Sequence, residues 1–141
     1  MPGWVKPNVD TKFHIDLGWW TERGRNFRVY LLSHLCAEHR AQFQAYREAE
    51  LIDWVDENTA EVKQVDGLWH SLRQCCSFKP DYITDTTPLT TAIFRTFLAN
   101  GNDPLSPVEL SQRLHRPPET ILRTIGGVQV YDGIKPVRDE G

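Results

Sequence analysis

The chain has 141 residues, of which 25% are charged and 40% hydrophobic, and its formal net charge is −3. That composition fits a globular protein of one large or two small domains and excludes disordered, fibrous and strongly basic classes. No stretch approaches membrane-spanning length, and Met1 to Asp10 has no apolar signal core, so no membrane is expected and the default location is cytoplasmic.

Met1 to Asp10 reads as irregular chain, with Pro2, Gly3 and Pro7. Lys12 to Leu17 has the make-up of a short strand. From Thr21 to Glu50 there is no proline and only Gly24, which predicts one long helix or two broken near Ala37. Phe27, Tyr30, Leu31, Leu35, Phe43 and Tyr46 supply its apolar stripe. Leu51–Asp56 and Glu61–Asp66 alternate on either side of Glu57–Ala60 and predict a hairpin. Gly67 to Cys76 reads as a helix with Leu68 and Leu72 on one face, and Ser77 to Thr87 as a linker. All five tryptophans (Trp4, Trp19, Trp20, Trp54 and Trp69) precede residue 70, so they are expected to build the first core and its seam with the second. A surface around Trp19 and Trp20 is the alternative use.

The last third is the most informative. Leu89, Ile93, Phe94, Phe97 and Leu98 form a helical stripe that stops at Asn100-Gly101. Ser106, Pro107 and Glu109 make a helix start with a capping box, and Leu105 and Leu110 make a hydrophobic staple. This helix must end near His115, because Arg116 precedes Pro117. A second helix begins at Pro118, carries Ile121, Leu122 and Ile125 on one face, and stops at Gly126-Gly127. Val128 to Val137 follows, with Asp132-Gly133 between two β-prone runs, the signature of a type I′ hairpin. Pro136 confines its strand to an edge.

From Leu89 to Val137 this order of helix, helix-turn-helix and hairpin resembles the winged-helix family. The resemblance implies an α+β, mainly helical chain. An N-terminal helical module with one hairpin (1–80) would precede a C-terminal winged-helix module (88–141). In DNA-binding members the second helix of the pair enters the major groove. Carried onto this chain, Thr120, Arg123 and Thr124 would face base edges, and Arg113, His115, Arg116 and Lys135 would contact phosphate. The implied function is nucleic-acid binding of the transcription-regulator kind. Charge pulls the other way, since six basic and six acidic residues follow Pro88, and phosphate attraction needs a basic surface. The second reading is therefore a protein-interaction or assembly subunit with a neutral winged helix and an aromatic N-terminal surface. Monomer and homo-oligomer both stay open.

Three cysteines give no disulfide framework and fit a reducing compartment. Cys36 and His39 are three apart, so on a helix they face the same way. Downstream, His70 and Cys75 (or its neighbour Cys76) complete a four-ligand set for a structural zinc. A Cys-His dyad for nucleophilic chemistry lacks an orienting group and an oxyanion donor. Asp53, Asp56, Glu57 and Glu61 read as a solvated turn. No enzyme activity is expected.

Overall fold

In chain order the elements are β1 (Phe13–Ile15), α1 (Leu17–Glu22), α2 (Phe27–Ser33), α3 (Ala37–Gln44), β2 (Leu51–Val55), β3 (Val62–Asp66), α4 (Gly67–Gln74), α5 (Leu89–Ala99), α6 (Pro107–Leu114), α7 (Pro118–Ile125) and β4 (Ile134–Pro136). A short 3-10 turn, Cys76–Phe78, follows α4. The computed structural model describes residues 6–44, 51–55 and 62–137. Within them the chain is mixed α/β and mostly helical, with seven helices and two antiparallel strand pairs. Trp4, Tyr46, the turn at Glu57–Ala60 and the side chains of Phe43 and Trp54 lie outside the described residues.

The chain divides into two units, 26–82 and 1–25 joined with 83–141. The first 25 residues thus group with the C-terminal segment, unlike the expected division into 1–80 and 88–141. The cause is β1, which pairs antiparallel with β4, Ile15 opposite Ile134 and Phe13 opposite Pro136. Phe13 also bridges to Leu105, ahead of α6. Asn102 supports the same strand with its side-chain amide, which accepts from Ile15 N at 2.8 Å and donates to Ile15 O at 2.9 Å. Phe13, Ile15 and Trp20 are buried with Phe94, Phe97, Leu110, Ile121 and Ile125. Trp19 and Trp20 therefore belong to this core, not to a separate N-terminal one.

The helix-turn-helix forms as its residues dictate. Ser106 Oγ accepts from Glu109 N at 3.2 Å, and Glu109 Oε1 accepts from Ser106 N at 3.0 Å, so the capping box is complete. Glu109 also pairs with Lys12, 97 residues away. The helix ends at His115, in the left-handed region at φ 58°.

The expected hairpin over Val128–Val137 does not form. Its turn does: Asp132 and Gly133 have φ of 55° and 81°, and Ile134 N donates to Tyr131 O at 2.9 Å. Val128 to Tyr131 is not a strand, and β1 takes the place beside β4 that it would have filled. The Asp-Gly signal specifies a turn, and a distant strand outcompetes the local one.

In the 26–82 unit, the expected long helix is α2 and α3, with a break at His34–Cys36. Its start is also shifted, because α1 lies in the other unit and Arg23–Asn26 separates it from α2. Gly24 takes φ 64° there, and Asn26 Oδ1 caps α2 by accepting from Val29 N. β2 and β3 pair as expected, Leu51 opposite Asp66 and Val55 opposite Val62. Leu31, Leu35, Leu72, Cys76 and Tyr82 are its buried apolar side chains among those described.

Candidate metal centre and helix-turn-helix surface

Cys36 lies one residue before α3, and its carbonyl accepts from Arg40 N at 2.8 Å, so it occupies the helix's N-cap position. His39 is then three residues into the cap geometry, and Cys36 Sγ lies 3.3 Å from His39 Nδ1. The C-x-x-H spacing works through this cap.

The other half comes from the end of α4. Cys75 has φ −137° and ψ −62°, outside helical geometry, and the chain then enters the 3-10 turn. That break changes the direction of the two adjacent cysteines, which a continuous helix would splay by about 100°. Ligand atoms of Cys36, His39 and Cys75 all lie within 4.8 Å of one another, close enough to hold one metal ion. Cys76 joins from the buried side, its Sγ 3.3 Å from Cys36 Sγ and 3.8 Å from His39 Nδ1. His70 is not in this group. The helix expected over Gly67 to Cys76 stops at Gln74, and Cys75 is the downstream residue that joins Cys36 and His39.

Burial opposes ionisation of Cys36, but hydrogen bonds from the His39 backbone and ring and from Cys76 hold its thiol at about 7. Burial pushes the Cys76 thiol up to about 12; a backbone hydrogen bond at Cys36 opposes this, and negative charge on Cys36 and Cys75 adds to it.

In the other unit, Arg113, His115, Arg116 and Arg123 are exposed around α6, the turn and α7. None of these arginines has an ion-pair partner among the described residues. Thr120 and Thr124 are half-buried, and the Thr124 hydroxyl donates to Thr120 O at 2.9 Å. Lys135 is 3.4 Å from Asp16, an ion pair that engages its charge. Arg123 and Thr124 line an open cleft together with Thr90, Gly127–Gln129 and Tyr131. No family model, curated protein or solved structure matches the chain.

Proposed function

We propose that the protein binds duplex nucleic acid through α6 and α7, in the manner of a transcription regulator, and holds a structural zinc in its 26–82 unit. The observation that carries the nucleic-acid reading is the set of three exposed arginines, Arg113, Arg116 and Arg123, on one helix-turn-helix, none with an ion-pair partner among the described residues. The charge from Pro88 onward is balanced, so the reading rests on this local cluster of arginines and not on a net basic surface. The element order supports a winged-helix variant in which β1 replaces the first wing strand. In this reading Thr120, Arg123 and Thr124 face the bases, while Arg113, His115 and Arg116 face phosphates.

Zinc is favoured among metals by the donor set of thiolates and an imidazole. The spacings of 3.3 and 3.8 Å lie near the roughly 3.5–3.8 Å edges that tetrahedral zinc at 2.0–2.3 Å requires. Cys36, His39, Cys75 and Cys76 would complete that shell.

Fluorescence anisotropy with a 20-base-pair duplex tests the nucleic-acid role. Binding is expected at low salt, falling steeply as salt rises. Arg123→Glu is expected to weaken it at least tenfold, and Arg116→Ala to reduce the salt slope by about 1. Absence of binding, or binding indifferent to both changes, rejects the reading. Exposed Val128 and Tyr131, on the segment that is not a wing strand, favour a protein-docking role as the second reading.

A further inference from the structure

We infer that Cys36 and Cys76 are an oxidative modification site: a peroxide joins them in a reversible disulfide, which withdraws two sulfur donors from the metal centre. The two sulfurs lie 3.3 Å apart, although the residues are 40 apart in sequence. The fold brings them together, since Cys36 stands at the head of α3 and Cys76 opens the 3-10 turn after α4. A disulfide bond is about 2.05 Å long, so the sulfurs must close by a little over 1 Å.

Geometry selects this pair among the three cysteines. Adjacent Cys75 and Cys76 are the poorest match, because consecutive Cα atoms of a trans peptide stand about 3.8 Å apart and a disulfide spans roughly 4.4–6.8 Å. The Cys75 sulfur lies within 4.8 Å of Cys36, and it is the Cys76 thiol that is hydrogen-bonded to Cys36 Sγ. Exposure then separates two roles. Cys36 is half-buried, whereas Cys76 is 1% exposed. Oxidant therefore reaches Cys36 first, and Cys76 resolves the product from the protein side.

Hydrogen peroxide is the simplest oxidant of the class. Cys36 Sγ attacks one peroxide oxygen, the O–O bond breaks, and Cys36 becomes a sulfenic acid as hydroxide leaves. Cys76 Sγ then attacks Cys36 Sγ, the S–S bond forms, the S–O bond breaks, and a second hydroxide leaves. The two thiol protons neutralise the two hydroxides. In sum, two thiols lose two electrons and two protons, and one peroxide becomes two waters. A dithiol reverses the link by exchange and leaves as its own disulfide. His39 and Cys75 remain as donors, short of the four that a structural zinc takes. Metal release rests on the zinc reading of this centre, whereas the disulfide itself does not.

The test uses the full chain, reduced, freed of metal by a chelator and treated with one equivalent of hydrogen peroxide. The expected product is a monomer that has lost two hydrogens, keeps one of its three thiols and is restored by dithiothreitol. A non-reducing tryptic digest should join the peptide that carries Cys36 to the one that carries Cys75 and Cys76. Cys75→Ser should cross-link within about twofold of the unchanged rate, and Cys76→Ser at least about tenfold more slowly, with Cys36 stopping at its oxygen acids. In the zinc-loaded chain, a chromogenic chelator should register metal release as the link forms. A chain that cross-links but never holds zinc keeps the disulfide and rejects the zinc reading. The inference is overturned by an unchanged chain that does not cross-link, or by a link confined to the Cys75–Cys76 peptide. A rate that falls no further in Cys76→Ser than in Cys75→Ser, or a link that forms while zinc stays bound, overturns it as well.

Discussion

Cys36 does two jobs through one sulfur. It caps α3, and its Sγ faces His39, Cys75 and Cys76. A thiol held at about 7 is half ionised near neutrality, so a metal meets a thiolate at little cost. Cys76 differs, because burial pushes it up to about 12 and a bound metal must displace its proton. The sign follows: zinc binding releases protons, and apparent affinity falls as pH drops, most steeply below about 7, where Cys36 also becomes protonated. Purified protein is expected to carry one zinc by elemental analysis. Cys36→Ser and Cys76→Ser should each lower zinc affinity at least 100-fold in a chelator competition, whereas His70→Ala should leave it within about threefold. Loss of zinc in His70→Ala with retention in Cys76→Ser would reverse the assignment. The Cys36–His39 half of the site was legible in the sequence, because a three-residue spacing survives the exact helix start. In the second half Cys75 was legible and joins Cys36 and His39, whereas His70 is not in that group, because the chain leaves helical geometry at Cys75.

At the scale of elements, the same contrast separates α6 from the wing. The capping box and first-turn proline of α6 are local, and both appear where the residues place them. The Asp132-Gly133 turn is local as well and forms. What fails is pairing: β4 joins a strand 119 to 123 residues earlier in the sequence, which no local signal announces. The turn still matters, because it brings Asp132 O to the Trp20 indole and Gly133 O to Asp16 N at 2.8 Å. A Cβ on Gly133 would lie 2.7 Å from Trp20 Nε1 and 3.1 Å from Asp16 O, at a φ of 81°. Gly133→Ala therefore combines left-handed strain with a clash against a buried ring. It should cost about 2–4 kcal/mol in a denaturant titration. Gly127→Ala, where a Cβ meets nothing within 4 Å, should stay within about 0.5 kcal/mol. Equal effects would mean that the turn does not lock Trp20 in place.

For the molecule as a whole, the division into units follows from where apolar side chains and sulfur ligands fall. The unit of 1–25 and 83–141 buries Phe13, Trp20, Phe94, Phe97 and a file of aliphatic residues from three helices. The 26–82 unit spans 57 residues, a size at which a single core is marginal and a metal staple is a common remedy. All four sulfur and imidazole donors lie in that unit and come from its two ends, at α3 and just after α4. A metal there closes a loop of roughly 40 residues and contributes stability to the unit that holds it. Hydrogen exchange with and without a strong chelator separates the two units. Amides of α2 and α4 should lose at least tenfold in protection when the metal is removed, whereas those of α5, α6 and α7 should change by less than twofold. The variant pair should follow the same division, with Cys36→Ser reproducing the chelator in α2 and α4, and Gly133→Ala loosening α5 to α7 instead. If chelation lowers protection equally in both sets of helices, the metal does not act as a local staple, and the 26–82 unit must draw its stability from elsewhere in the chain.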